Sequence, residues 1–328
     1  MSKPKVFIAR KILDQGMQLI LQSCDADVWQ DEMPPSRPEL LERVRGVIGL
    51  LPLLTDFIDA EVMDACGANL RVISNHAVGT DNIDVRAATR RGIAVGNTPG
   101  ILTDATADFT FALLFSAARR ITEADSFVRS GNWRTWSPAL MLGSDLNGAT
   151  LGIIGFGRIG QAVAKRAGGF NMNILFHDPN QVQLRSDLNA RPVKMDFLLG
   201  NSDFISIHTP LTQETYHLID KAAFEKMRSN AILINTARGA IVDPEALYQA
   251  LRNHRIRAAA LDVTEPEPIP PDSPLLDLDN LILSPHIASA SQSTRERMSV
   301  MAAENLIAGV QGKIIPHCVN PEIYQQPI

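Results

Sequence analysis

The chain has 328 residues, 45% of them hydrophobic, and a formal net charge of -5 from 31 Lys+Arg against 36 Asp+Glu. That is enough for two domains at about 150 residues each, and the mild acidity without a basic block argues against a nucleic-acid partner. No apolar run reaches the ~20 residues of a membrane-spanning helix, and the scattered Cys24, Cys66 and Cys318 lack metal-ligand spacing. The opening residues run straight into a strand pattern, so we expect no signal peptide and a cytoplasmic protein whose thiols stay reduced.

Short apolar runs at 6–9, 26–29, 47–50, 72–74 and 93–95 predict strands, and the segments 37–45 and 58–65 between them read as amphipathic helices. Such alternation predicts a parallel sheet covered by helices. Ligands in open α/β sheets sit beyond the carboxyl ends of strands, which singles out the loops 51–54 and 75–82. Turn chemistry at Asn97-Thr98-Pro99-Gly100 marks a boundary, and one long apolar helix is predicted over 103–121. The loop 130–138 then carries Trp133 and Trp136, which suit an interface or packing on the chain's own surface about equally.

From residue 151 the pattern predicts six strands, at 151–154, 174–177, 204–208, 231–235, 258–263 and 281–284. Helices are expected at 159–167, 193–199, 222–227 and 244–251, the last with Asp243 as N-cap and Pro244 at the first helical position. The helix predicted over 293–309 has no strand after it, so we expect it to cross back to the first domain.

The first of these strands runs into Gly155-Phe156-Gly157-Arg158-Ile159-Gly160, and Asp178 closes the next. A G-x-G-x-x-G turn alone is weak evidence; between a strand and a helix, with an acid about 20 residues on, it predicts a dinucleotide site. The glycines let backbone amides at the helix N-terminus approach a pyrophosphate, and the carboxylate suits a ribose 2′-hydroxyl. Because Asp178-Pro179-Asn180 offers no cation for a 2′-phosphate, we expect NAD(H) to be preferred, with NADP(H) as the alternative. His208 also ends a strand and reads either as a cofactor contact or as core.

Three more strand ends would lie on the glycine turn's edge: Asn235-Thr236-Ala237-Arg238-Gly239, the stretch from Asp262 to Pro268, and Pro285-His286. An arginine that grips a carboxylate, a histidine that gives and recovers a proton, and an acid that favours the imidazolium suit reduction of a 2-oxo acid. Spacing alone leaves Glu265 and Glu267 open as the acid. The absence of His-x-x-x-His, Cys-x-x-Cys and G-x-S-x-G patterns argues against metal and serine-hydrolase chemistry.

These motifs, with Val78-Gly79-Thr80-Asp81-Asn82-Ile83-Asp84 and Pro285-His286-Ile287-Ala288-Ser289-Ala290, resemble the D-2-hydroxyacid dehydrogenase family along nearly the whole chain. Gly131-Asn132-Trp133, Leu247-Tyr248-Gln249-Ala250-Leu251 and the Glu-Pro-Glu-Pro run are closest in look to glyoxylate/hydroxypyruvate reductases and 2-ketogluconate reductases. The resemblance implies two doubly wound α/β domains. A Rossmann cofactor domain (100–287) would be inserted in a flavodoxin-like substrate domain (1–99 and 288–328).

It further implies that Arg238, Glu267 and His286 are catalytic, and that Leu53, His76, Val78, Gly79 and Arg238 meet substrate. The cofactor would be met by Thr106, Gly155, Gly157, Arg158, Ile159, Gly160, Asp178, His208, Thr209, Pro210, Thr236, Ala237, Asp262 and Ala288, with no metal. The expected reaction is NADH-dependent reduction of glyoxylate or hydroxypyruvate to the D-2-hydroxy acid, in a homodimer formed around Trp133 and Trp136. The alternatives are 2-ketogluconate reduction and a dinucleotide-sensing, corepressor-like binding protein.

Overall fold

The structure is a computed structural model and describes residues 2–325 apart from 181, 184 and 185. In chain order the first elements are β1 (Lys5–Ile8), α1 (Asp14–Ser23), β2 (Asp25–Val28), α2 (Arg37–Arg43), β3 (Gly49–Leu51), α3 (Ala60–Cys66), β4 (Val72–Ser74), α4 (Val85–Arg90) and β5 (Ala94–Gly96). Their strands form one parallel sheet of order β2-β1-β3-β4-β5, the flavodoxin-like winding. β3, β4 and β5 are buried throughout, as strands covered on both faces must be. Helix starts are set by local chemistry: Ser36 and Glu39 form a capping box on α2, and Asp59 and Asp84 accept backbone N–H groups at the starts of α3 and α4.

The chain continues through α5 (Thr103–Ala118), α6 (Ile121–Arg129), β6 (Thr150–Ile154), α7 (Arg158–Gly168), β7 (Asn173–His177), β8 (Ala190–Pro192), α8 (Met195–Asn201) and β9 (Phe204–Ile207). It goes on with α9 (Lys221–Lys226), β10 (Ile232–Asn235), α10 (Pro244–Arg252), β11 (Ala258–Leu261), β12 (Leu281–Leu283) and α11 (Gln292–Val310). The second sheet is also parallel, with order β12-β11-β10-β9-β6-β7-β8. This is the doubly wound dinucleotide-binding order with one strand added, and its switch point lies between β6 and β9. As expected, Asp243 caps α10 through Glu245 and Ala246, with Pro244 following.

Two sequence expectations need correction. Among the described residues, seven strands lie from Thr150 onward, not six. The unread β8 is Ala190-Arg191-Pro192, which among the described residues pairs only with β7; a charged, proline-containing edge strand carries no apolar run to read. The helix expected over about 103–121 ends at Ala118, and a second helix that the sequence did not announce, α6, starts at Ile121 after Arg120, whose φ of 54° is left-handed. No Gly or Pro marks the break. Instead Ser144 donates its backbone N–H to the Ala118 carbonyl at 2.8 Å, an ending supplied from outside the helix.

The chain divides into two compact units: unit 1, Met1–Leu102 with Ala290–Ile328, and unit 2, Thr103–Ser289. α11 thus belongs with the first sheet, and it packs on α1, β3, β4 and β5. In unit 2 the carboxyl ends of all seven strands share one edge, and the candidate residues stand there.

Candidate active site

The glycine turn is explained residue by residue. Gly155 has a φ of 85°, and a Cβ there would sit 2.6 Å from the His208 carbonyl carbon and Thr209 nitrogen. At Gly160 a Cβ would run into the Gly155 carbonyl. Gly157 differs: its φ is −72°, and, its chain neighbours aside, no atom of the described residues lies within 4 Å of a Cβ built on it. No described residue demands a glycine there, so the open space suits close approach of a ligand to the backbone. Arg158 is exposed and Ile159 half-buried at the start of α7. These features fit a dinucleotide pyrophosphate.

Asp178 stands just past β7. Its Oδ2 accepts the Phe156 N–H at 2.8 Å and its Oδ1 the Asn180 N–H at 2.9 Å, so one carboxylate braces the glycine turn and its own loop. Below the turn, Phe156 stacks on Phe176 with ring centroids 4.0 Å apart. His208 bonds through Nε2 to Ser206 Oγ at 2.8 Å, and burial pushes its pKa down to about 3. It is neutral at working pH. Thr209 is half-buried and Pro210 exposed, whereas Thr106 and Thr236 are buried; Thr110 of α5 joins them, its Oγ1 bonding the Thr106 carbonyl at 2.8 Å and Thr236 Oγ1 at 3.0 Å.

Arg238 follows β10 and is half-buried, with Nη1 donating to the Ala237 carbonyl at 2.7 Å. The turn that carries it is held by the fully buried Asn235, whose Nδ2 donates to the Arg238 carbonyl and whose Oδ1 accepts the Ala237 N–H. A Cβ at Gly239 would collide with the Thr264 carbonyl. This is how the Arg238 turn comes to lie against the loop leaving β11.

That loop delivers Glu267 to His286. Glu267 Oε1 is 2.6 Å from His286 Nδ1, with both side chains half-buried. The other acid, Glu265, is 2.6 Å from His217 Nε2. Engagement of Nδ1 by a carboxylate fixes the imidazole's orientation and leaves Nε2 to face a reactant. His286 itself has a φ of 54°, a conformation non-glycine residues rarely adopt.

The clamp that holds it is Asp262, 1% exposed. Its backbone carbonyl accepts the His286 N–H at 2.8 Å. Its Oδ1 accepts from Ser284 Oγ at 2.6 Å and the Ile287 N–H at 2.8 Å, and its Oδ2 accepts from the Ala288 N–H at 2.7 Å. Sequence reasoning placed Asp262 at the cofactor and did not see this grip. The available signal was an acid ending an all-apolar strand, where burial without several donors is too costly.

In unit 1, the His76 ring lies inside the unit, with Nε2 3.1 Å from Ser299 Oγ; burial, with the Arg295 charge a smaller cause, pushes its pKa down to about 4. The Val78 and Gly79 carbonyls are taken by the amides of Asn97 and Asn75. Leu53 sits in a loop braced by Asp56, which accepts the Leu53 N–H at 2.7 Å and is ion-paired with Arg10 at the same distance.

The two parallel doubly wound sheets and the glycine turn at the edge of the second match what comparison with known proteins finds. Residues 111–288 match the family model described as D-isomer specific 2-hydroxyacid dehydrogenase, NAD binding domain. The chain belongs to the D-isomer specific 2-hydroxyacid dehydrogenases, a family of oxidoreductases. It is 53% identical over 323 residues to a glyoxylate reductase of Korarchaeum cryptofilum, covering 98% of this chain and 97% of the relative. A crystal structure of a Thermus thermophilus protein superposes with a TM-score of 0.90 at 46% identity, over 96% of this chain and 99% of that one. An NADPH-dependent glyoxylate/hydroxypyruvate reductase of Sinorhizobium meliloti, solved with NADP and malonate, gives a TM-score of 0.83 at 30% identity, over 97% of each chain.

Proposed function

We propose that this enzyme reduces glyoxylate, and hydroxypyruvate as a second substrate, to the D-2-hydroxy acid with NADH. The observation that carries the chemistry is the 2.6 Å contact between Glu267 and His286, one strand over from the Arg238 turn. The choice of substrate is supported by the glyoxylate reductases at about half identity.

The nicotinamide supplies the hydride when bound. Everything else falls to side chains. Arg238 takes the substrate carboxylate with its planar fork and polarises the carbonyl. His286 donates the Nε2 proton to the oxygen as charge develops there, and Glu267 stabilises the imidazolium and keeps the ring aimed. Unit 2 is assigned the dinucleotide. Unit 1 is assigned the substrate, with the Val78 and Gly79 amides on the carboxylate and Leu53 and His76 shaping its surroundings; that assignment rests on the family resemblance.

NADH is preferred in this reading because Asp178 presents a carboxylate where NADPH would bring a 2′-phosphate. A homodimer is proposed through the segment around Trp133 and Trp136, which are 60% and 77% exposed. The neighbouring α6 buries none of its residues, and exposed aromatic side chains of this kind suit an interface. A cytoplasmic location is proposed from its three free cysteines.

The test is a steady-state panel of glyoxylate, hydroxypyruvate and 2-ketogluconate with each cofactor. The highest kcat/KM is expected for glyoxylate with NADH. A preference for NADPH defeats the Asp178 argument, and a preference for 2-ketogluconate defeats the substrate assignment.

A further inference from the structure

We propose that His217 and Glu265 form a positioning pair that fixes the Glu267 loop against the Arg238 turn. The proposal rests on the reading above, in which Glu267 and His286 act together on the reactant.

The geometry is specific. Glu265 and Glu267 flank Pro266 in the loop that leaves β11, so the placement of one limits the reach of the other. Glu265 Oε2 lies 2.6 Å from His217 Nε2, and Asp243 Oδ2 lies 3.9 Å from Nδ1 on the ring's other side. His217 is itself tied to the Arg238 turn. Its N–H donates to the Ala240 carbonyl at 2.8 Å, the Ile219 N–H donates to the Ile241 carbonyl at 3.0 Å, and Asp243 returns its own N–H to Ile219 at 3.1 Å. One residue therefore grips the short 3-10 turn after Arg238 (Gly239–Ile241) through its backbone and the Glu267 loop through its ring.

Two further contacts limit the freedom of this pair. Tyr216 stacks on the His217 ring with centroids 4.0 Å apart and planes 16° apart, covering one face. Gly239 packs its backbone onto Thr264, next to Glu265. The loop's internal bond, Thr264 Oγ1 to the Pro266 carbonyl at 2.8 Å, stiffens it without attaching it to the Arg238 turn. Beside the Gly239 packing, the His217 bridge makes a hydrogen-bonded attachment. A hydrogen-bonded polar pair adds little net stability over a well-packed apolar one, but its direction and length are far more exacting. Neither residue is placed against the reactant, so both act through Glu267.

The experiment compares Glu265→Ala, Glu265→Gln and Glu267→Gln in the full chain, reducing glyoxylate with NADH. Misplacement of a catalytic group by about 1 Å costs on the order of 100-fold in rate, so Glu265→Ala is expected to lower kcat by roughly 10- to 100-fold. NADH affinity should be unchanged, and the solvent deuterium isotope effect on kcat should rise as proton delivery becomes limiting. Glu265→Gln still accepts a hydrogen bond from His217 and should recover most of the loss; that rescue separates positioning from charge. Should Glu265→Ala fail to fold, His217→Leu makes the same comparison. Glu265→Ala with parental kcat and isotope effect, while Glu267→Gln is impaired, overturns the positioning role alone. Equal losses in the Ala and Gln variants, with lowered Tm, also overturn it. If Glu267→Gln itself leaves both readouts unchanged, the acid/base reading fails and this proposal falls with it.

Discussion

Replacing Asp262 with Asn tests how the His286 turn is held. The change is nearly isosteric, but one acceptor oxygen becomes an N–H₂ donor. In the wild type Oδ1 takes two donors and Oδ2 takes the Ala288 N–H. The better amide orientation keeps Oδ1 and points the new donor at the Ala288 N–H. One hydrogen bond to a charged group is then lost, about 1.5–3 kcal/mol, and a buried N–H is left without a partner, about 1–3 kcal/mol more. The expected loss is about 3–5 kcal/mol. At about 3 °C per kcal/mol for a domain of this size, Tm should fall by roughly 10 °C. Thermal melts of Asp262→Asn beside an exposed control, Asp272→Asn, measure it; the control should change stability by less than about 0.5 kcal/mol. Amide hydrogen exchange should also accelerate at Ile287, Ala288 and His286, whose N–H groups all end on Asp262. A melt within about 2 °C of wild type, with unchanged exchange at those three amides, would refute the clamp.

The glycine turn separates folding from binding. Gly155→Ala should lower Tm by several degrees, because its Cβ meets backbone at 2.6 Å in a left-handed conformation. Gly157→Ala should leave Tm unchanged yet weaken NADH binding at least tenfold in a fluorescence titration; unchanged affinity would mean that the open space at Gly157 is not the pyrophosphate cradle. Acid stability should depend on His76, whose folded pKa of about 4 lies below its ordinary 6.5. Between those values the unfolded chain binds the extra proton, so stability rises with pH. This contribution is intact above about pH 6.5 and lost as pH falls, by about 3 kcal/mol below pH 4. Urea unfolding of His76→Asn should therefore show a flatter acid limb, and an unaltered limb would contradict the buried, neutral imidazole.

Features whose causes are local in sequence were legible before the structure. The strand, three glycines and acid from Leu151 to Asp178 declare the nucleotide turn, because steric need at Gly155 and Gly160 and the reach of Asp178 operate within one β-α-β unit. Asp243-Pro244 declares a helix start for the same reason. Features set by distant partners were not legible. β8 reads as loop because an edge strand needs no apolar run, and α5 ends where a backbone segment some 25 residues on takes the Ala118 carbonyl. Asp262 closes its contacts 22 to 26 residues ahead, and His217 finds Glu265 48 residues on. The choice between Glu265 and Glu267 is of this kind too: spacing left it open, the family motif pointed to Glu267, and Glu267 is the carboxylate that reaches His286.

The most direct test of the central claim is the rate of glyoxylate reduction by NADH in His286→Ala. A positioned proton donor contributes about 10²–10⁴ in rate. The account therefore predicts at least a 100-fold loss in kcat, with NADH affinity and Tm close to wild type. A variant that reduces glyoxylate within a few-fold of the wild-type rate would contradict it.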